Sequence, residues 1–548
     1  MDKMIKKHAF YIILLFQLPF FAFTQSNGFE VIKNLEILDH IFMNLEKYYV
    51  DEPQTGAISK AGIDAMLREL DPYTVYYHES NIEDYRMMTT GQYGGIGASI
   101  RQQDNDVIIA EPYENMPADK AGLKSGDRII SIDGRSVKDQ STEQVSQALK
   151  GAKGSTIAVV YDRPYKGKDT ALVTRAEIKL PDIPYQGLLD NNIGYVKLNS
   201  FTKTASREAG KAFAALKSKN MEKFILDLRG NGGGLLLEAV NIVNFFVPKG
   251  TEIVTTKGRI LDENRSYTTK QEPLDLDIPV VVLVNETSAS ASEIVAGALQ
   301  DLDRAVVIGK TTFGKGLVQR TVDLKYGAKM KLTVAKYYTP SGRCVQKLDY
   351  YHKNDGEVNE VPDSLIRVFK TKNGREVIDG RGIEPDIIIE GEKMPRFIKT
   401  LLQEDVLFDF ATVFAQRNEE IASPQSYEVS DQLLKALEDT IMNRELNYAT
   451  ATQRQLEKTM ATAKREGYDQ KIIDEYEALF EKVASSKSED YELFESEIKR
   501  LLRNEIVGRY YYQEGKVVDS FKDDKDLQRA IDLLEELQDY KNILSPDE

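Results

Sequence analysis

The chain has 548 residues, 41% hydrophobic and 29% charged, which predicts three or four domains at about 150 residues each and excludes a disordered chain or a polytopic membrane protein. Lys and Arg number 72 against 87 Asp and Glu, a net charge of −15, so no general basic field exists to hold nucleic acid. One cysteine, Cys344, excludes an intrachain disulfide framework and a cysteine-based zinc or iron–sulfur centre, and four scattered histidines (His8, His40, His78, His352) argue against a histidine-rich metal site.

Residues 1–26 carry the three parts of an export signal: Lys3, Lys6 and Lys7, an apolar run from Ala9 to Phe23, and a small-residue cleavage site at Ala22-Phe23-Thr24. The run is about 15 residues and contains Gln17 and Pro19, short of the ~20 that span a bilayer. The expectation is an exported, periplasmic protein, bound to a membrane only if this segment is retained. No cysteine stands directly after the signal to carry a lipid there.

From 27 to 88 the pattern is helical. Val31, Leu35, Leu38, Phe42, Leu45 and Tyr49 recur at steps of three and four, and a second helix over Ile58–Leu70 stops at Asp71-Pro72. Residues 89–180 form a β-rich module, with strands at Val107–Ala110, Arg128–Ile132 and Thr156–Tyr161. Its helix, Thr142–Leu149, has Ser141 and Gln144 in capping-box spacing. Residues 181–393 alternate strands (Ile193–Leu198, Phe224–Leu228, Val280–Val284, Ala305–Ile308, Lys331–Ala335) with helices (Thr204–Leu216, Leu236–Phe246, Ser292–Leu302), an α/β core. Residues 394–548 are charged and helix-patterned, with apolar stripes such as Leu433, Leu434, Leu437, Ile441 and Leu527, Ile531, Leu534, Leu537. They predict a packing or oligomerisation domain. The fold class is therefore α+β and multidomain.

Chemistry concentrates at four places. In Val280–Ile294 a buried strand runs into three serines among alanines and then a helix; a serine on such a turn is presented beside backbone N–H groups and a positive helix end. The same residues also suit a plain helix cap, since Glu293 follows Ser290 by three. Histidine is scarce, which directs the search for a base toward lysine. A lysine base must be neutral, so a pKa of about 10.4 has to fall by about 3, at ~4 kcal/mol, which an apolar pocket can supply. Lys310 and Lys315 both follow the Ala305–Ile308 strand; Lys315, between Gly314 and Gly316, has the backbone freedom to aim its side chain inward, with Gln319 four residues on along the same face. An exposed lysine in a glycine-rich turn remains the alternative there. Asp227-Leu-Arg-Gly-Asn-Gly-Gly-Gly234 ends a strand in N–H groups able to meet an anion, either an oxyanion or a phosphate. Gly94-Gly-Ile-Gly-Ala-Ser-Ile100 suits a loop whose amides (Gly95, Ile96, Gly97, Ala98) capture a terminal carboxylate while the strand pairs with a peptide; it also suits an ordinary tight turn.

Together these residues resemble the carboxyl-terminal processing (tail-specific) protease family over roughly residues 30–390. The matching pieces include Leu70-Asp-Pro72, the Gly-Ile-Gly loop, Ala121–Asp127, Asp227–Gly234, Ser288–Glu293, Phe313–Gly316 with Gln319, Tyr338–Gly342 and Gly382–Asp386. The resemblance implies a serine endopeptidase with a PDZ domain over 89–180 and a protease core over 181–393. It implies Ser290 as nucleophile, Lys315 as general base, Gln319 as its orienting partner, and N–H groups of Ala291 and of Gly232 or Gly233 as the oxyanion hole. It further implies no metal or cofactor, and protein substrates engaged by their C-terminal tails. A homo-oligomer or an adaptor for the helical ends stays open. The rival expectation is a non-catalytic peptide- or ligand-binding scaffold on the same fold.

Overall fold

A computed structural model describes residues 27–78, 91–354, 357–391, 394–446, 448–483 and 486–545; the segment 1–26, read as an export signal, lies outside them. Two compact units result, one holding the described residues up to His78 together with Val322–Lys331, the other holding the rest.

In the N-terminal unit α1 (Asn27–Tyr48) and α2 (Thr55–Arg68) form where the periodicity places helices. The α1 stripe stays open to solvent, Val31 and Leu35 being 56% and 60% exposed. Pro72 bars Asp71 from helical backbone. The Asp71 carboxylate instead accepts the N–H groups of Tyr73 and Thr74, each at 2.8 Å, in a side-chain-closed turn. β1 (Val75–Tyr77) follows and pairs antiparallel with residues 329–331.

The β-rich module contains β2 (Gln92–Gly95), β3 (Ala98–Gln103), β4 (Asp106–Pro112), the one-turn α3 (Pro117–Lys120), β5 (Arg128–Ile132), β6 (Arg135–Ser136), α4 (Thr142–Leu149), β7 (Thr156–Arg163), β8 (Gly167–Thr174) and β9 (Ala176–Lys179). Its main sheet runs β3-β4-β5-β7-β8, which leaves β3 as an edge. The predicted capping box is present: Gln144 N–H donates to Ser141 Oγ at 3.3 Å and Ser141 N–H to Gln144 Oε1 at 2.9 Å.

The α/β segment supplies β10 (Tyr185–Leu189), β11 (Ile193–Lys197), α5 (Ala205–Lys217), β12 (Lys223–Asp227), α6 (Leu236–Val243), β13 (Glu252–Gly258), β14 (Arg265–Thr268), β15 (Val280–Val284), α7 (Ala291–Asp301), β16 (Val306–Gly309), β17 (Leu317–Asp323) and β18 (Lys329–Tyr338). The hairpins β19 (Leu348–Asn354) with β20 (Glu357–Glu360) and β21 (Val368–Lys370) with β22 (Glu376–Ile378) follow, then β23 (Ile387–Ile388). A six-stranded sheet runs β10-β11-β12-β15-β16-β23 and is parallel except for the antiparallel β10. α5, α6 and α7 cover one face, where Phe213, Val243 and Val295 pack with Leu226, Val282 and Val307.

A parallel sheet needs both faces covered, and the C-terminal helices supply the second layer. Of α8 (Arg396–Gln403), α9 (Val406–Arg417), α10 (Asp431–Asn443), α11 (Ala451–Glu466), α12 (Gln470–Val483), α13 (Lys487–Ser520), α14 (Lys525–Glu535) and α15 (Leu537–Leu544), the last two lie on the sheet. Leu527, Leu533, Leu534 and Tyr540 are buried against Tyr195, Ile225, Val281 and Leu283. Each such apolar side chain contributes about 1.5–3 kcal/mol. The Tyr540 hydroxyl accepts the Val280 N–H at 3.0 Å. The segment read as a packing or oligomerisation domain is thus, at its end, a layer of the core.

The same helices seat on the β-rich module. α13 breaks helical backbone at Tyr512 (φ +51°, ψ −149°). The Tyr512 hydroxyl donates to Asp119 Oδ1 at 2.8 Å, Gln513 donates to Glu111 Oε2 at 2.6 Å, and Arg101 pairs with Asp405. Among the described residues no helix is long and apolar enough to cross a membrane.

Candidate active site

β15 is apolar and wholly buried, so its end is fixed, and the turn after it is pinned by two of the three serines. Ser288 Oγ donates to the Leu228 carbonyl at 2.9 Å and Ser292 Oγ to the Asn231 carbonyl at 2.8 Å, and both residues are fully buried. Ser290 between them is the only one of the three that is partly exposed. Its backbone, at φ +57° and ψ −112°, is one that a non-glycine residue holds at a cost of about 1–3 kcal/mol. Immediately after it α7 begins, with its N–H groups and positive end facing the turn.

Lys315 lies on the loop before β17. Its glycine neighbours are a steric requirement: a Cβ on Gly314 would sit 2.4 Å from Lys347 Cβ, and one on Gly316 2.7 Å from the Gln346 nitrogen. Lys315 itself is partly buried. Gln319, on β17, donates its carboxamide N–H to Thr333 Oγ1 at 3.2 Å, which turns its carbonyl oxygen to the acceptor role.

Glu293 brings the two loops together. Fully buried, it accepts the backbone N–H groups of Ser290 and Lys315 at Oε2, both at 2.8 Å, and those of the Thr312 hydroxyl (2.6 Å) and Gly314 N–H (2.8 Å) at Oε1. Four donors match an ionised carboxylate, which only accepts. Burial pushes the Glu293 carboxyl above its ordinary range, and these hydrogen bonds pull against that. The sequence marks Glu293 only as a capping-box partner; its bonds to the lysine loop are a tertiary feature that helical spacing does not reveal. Phe313 N–H adds a bond to the Ser288 carbonyl at 3.0 Å.

The glycine loop closes the site from the other side. Gly233 packs so tightly that a Cβ there would lie 2.8 Å from Ser290 Cβ and 3.0 Å from the Ala291 nitrogen. Its own N–H donates to Asn231 Oδ1 at 2.9 Å, so of the 232–233 pair Gly232 is the one whose N–H has no partner among the described residues. The Asn231 carbonyl accepts both Ala289 N–H (3.0 Å) and Ser292 Oγ. His352, in the same unit as Ser290, pairs with Asp349 at 2.8 Å on the surface.

In the β-rich module the Ile96 carbonyl accepts Ala118 N–H at 2.7 Å and the Gly97 carbonyl accepts Tyr113 N–H at 2.9 Å. The N–H groups of Ile96 and Gly97 have no partner among the described residues. They open the edge strand β3, which is flanked by Gly95 on one side and begins at Ala98. Among the described residues no group of three or more His, Cys, Asp or Glu side chains could hold a metal.

A serine on a strained strand-to-helix turn, a lysine loop tied to it and a glycine loop packed on it, all on an α/β scaffold with an appended β-rich module, define a serine-type hydrolase. Residues 192–352 match the model of peptidase family S41, residues 108–163 that of a PDZ domain, and residues 397–534 that of the probable PDZ-protease C-terminal helical domain. The chain is 35% identical over 332 residues to a carboxy-terminal-processing protease of Bartonella bacilliformis, spanning 59% of this chain and 75% of that one. It is 32% identical to the carboxy-terminal processing protease CtpA of Bacillus subtilis, spanning 57% and 66%. Among solved structures it is similar to the photosystem II D1 C-terminal processing protease (30% identity, 65% and 88% coverage, TM-score 0.37). The chain belongs to the carboxy-terminal processing protease family, peptidase family S41, and is a serine-type peptidase with a PDZ domain.

Proposed function

We propose that this peptidase cleaves exported proteins internally, through an acyl-enzyme made by a Ser290–Lys315 dyad, after its PDZ domain engages an apolar C-terminal tail. The observation that carries this reading is the Glu293 carboxylate, which holds the backbones of Ser290 and Lys315 on one oxygen atom. In the first step the neutral Lys315 amine takes the Ser290 hydroxyl proton as Oγ attacks the scissile carbonyl. The N–H groups of Ala291 and Gly232 stabilise the oxyanion. Collapse expels the amine, which leaves with the proton from the Lys315 ammonium, and water then releases the acyl group by the reverse proton path. Gln319 offers its carbonyl oxygen to orient the lysine amine without the charge that would keep it protonated. Export rests on the signal pattern of residues 1–26.

For tail recognition, the support is the pair of unpartnered amides at Ile96 and Gly97 beside the edge strand β3. Their hydrogen bonds to a carboxylate are each worth about 1.5–3 kcal/mol. Amidating the terminal carboxylate of a tail-bearing substrate is therefore expected to raise KM by about 10-fold or more with kcat little changed. An unchanged KM removes the PDZ domain from the reaction.

A further inference from the structure

At the root of the glycine loop stands a charge cluster that the chemistry above does not use. Arg229 caps the end of β12, with its Nε at 3.1 Å from Asp227 Oδ1 and its Nη2 at 2.7 Å from Asp227 Oδ2. Tyr195 hydroxyl donates to Asp227 Oδ2 at 2.6 Å, and Lys197 Nζ donates to the Arg229 carbonyl at 2.7 Å. Burial opposes ionisation of Asp227, yet Arg229 and Lys197 outweigh it and hold this carboxyl well below the usual range.

The far side of the Arg229 guanidinium is held from the other end of the chain. Asp524 grips it with two oxygens, at 2.8 Å from Nη1 and 2.6 Å from Nη2, and Asp526 adds a bond at 3.1 Å. Both aspartates open α14, the helix that covers the sheet through Leu527, Leu533 and Leu534. The guanidinium is thus clamped between a strand end and a helix start, which fixes where the chain leaves β12. From Arg229 the backbone runs three residues to Gly232, with Gly230 N–H on Asn285 Oδ1 at 3.0 Å and the Asn231 carbonyl on Ala289 and Ser292.

We infer that Asp524 and Asp526 are positioning residues for the peptidase reaction: the C-terminal helical domain completes the active site by holding Arg229, and through it the glycine loop, against Ser290. This rests on the assignment of Ser290 as nucleophile. Without the two carboxylates the guanidinium keeps only Asp227, on its own strand, and the loop loses its link to the layer beneath the sheet. The two aspartates reach the site only through Arg229, so the effect is expected on the chemical step.

The test is Asp524→Asn and Asp526→Asn, singly and together, in the full chain. Asp524 also caps α14, accepting the Leu527 N–H at 3.0 Å. Asparagine caps a helix about as well as aspartate, so the substitution removes the negative charge that faces Arg229 and keeps the cap. Expected is a fall in kcat per titratable serine of about 10-fold or more in the double variant, with KM within about 3-fold and Asp524→Glu recovering most of the loss; displaced oxyanion donors have effects of this size or larger. A kcat within 2-fold of the parent overturns the inference. If the double variant does not fold, the single Asp524→Asn variant decides by the same criteria. Ser290→Ala is run beside them: if it keeps activity, the nucleophile assignment fails, whereas an inactive Ser290→Ala with unaffected aspartate variants fails the positioning role alone.

Discussion

Ser290→Ala is expected to lower kcat/KM for casein by about 10⁴-fold or more while the melting temperature stays within a few degrees. The hydroxyl is the bond-forming atom in the account, and its neighbours Ser288 and Ser292 cannot replace it because both are buried and already bonded to the glycine loop. Lys315→Ala is expected to lose activity to a similar extent. Groups that act as a unit lose their function together, so the double variant is expected to be no worse than either single one. Independent, multiplying losses would mean that the two residues act in separate steps. A dyad whose base is an amine also requires kcat/KM to climb with pH as that amine loses its proton. Retention of more than about 1% of activity in either single variant contradicts the assignment.

Glu293→Ala is expected to produce the second large effect, on both stability and rate. It leaves the Ser290, Gly314 and Lys315 N–H groups and the Thr312 hydroxyl without their acceptor in a fully buried site. Each orphaned donor costs about 1–3 kcal/mol, so a loss on the order of 4 kcal/mol is expected in urea unfolding. Activity is expected to fall by about 100-fold or more, because displacing a reacting group by about 1 Å costs that much. Glu293→Gln separates the roles. With its amide oxygen toward Ser290 and Lys315 and its nitrogen toward Thr312, the two bonds that join the serine and lysine backbones survive while Gly314 N–H and the Thr312 O–H lose their acceptor, and kcat is expected within about 10-fold of the parent.

The same substitution tests the sign of the pH dependence. Burial raises the Glu293 carboxyl in the folded chain, so the folded chain holds this proton to higher pH than the unfolded chain does. Stability from this group is full below the ordinary glutamate range, near 4.3, and declines as pH rises through the raised value. Glu293→Gln removes that decline. If parent and variant show parallel stability from pH 4 upward, the carboxyl is not raised by burial.

Much of this architecture is written in local pattern. The apolar run Val280–Val284, the turn after it and the helix from Ala291 appear where the sequence places them, as do the Ser141–Gln144 capping box and strands β11, β12 and β16. Helix limits shift by one to three residues, as at Thr55, where no side chain caps the start, and at Ala291.

What local pattern does not carry is pairing across long stretches of chain. The stripe at Leu527 and Leu534 announces a helix without naming the sheet face formed by Ile225, Val281 and Leu283 as its partner. One physical signal was available. Val280–Val284 is apolar at every position, which demands cover on both faces, while the three core helices α5–α7 fill only one. The choice of Ser290 among three serines illustrates the same limit. Capping-box spacing to Glu293 and the family resemblance point to Ser290, whereas the bonds of Ser288 and Ser292 to the carbonyls of Leu228 and Asn231, some 60 residues earlier, are legible only in the fold.

In the proposed reaction Ser290 is a nucleophile activated through Lys315. The most direct measurement is covalent labelling of the full chain with a fluorophosphonate, followed by peptide mapping in a mass spectrometer. One adduct is expected, on the peptide carrying Ser290, absent from Ser290→Ala and strongly slowed in Lys315→Ala. An adduct on another residue, or full proteolysis by enzyme in which Ser290 remains unmodified, would contradict it.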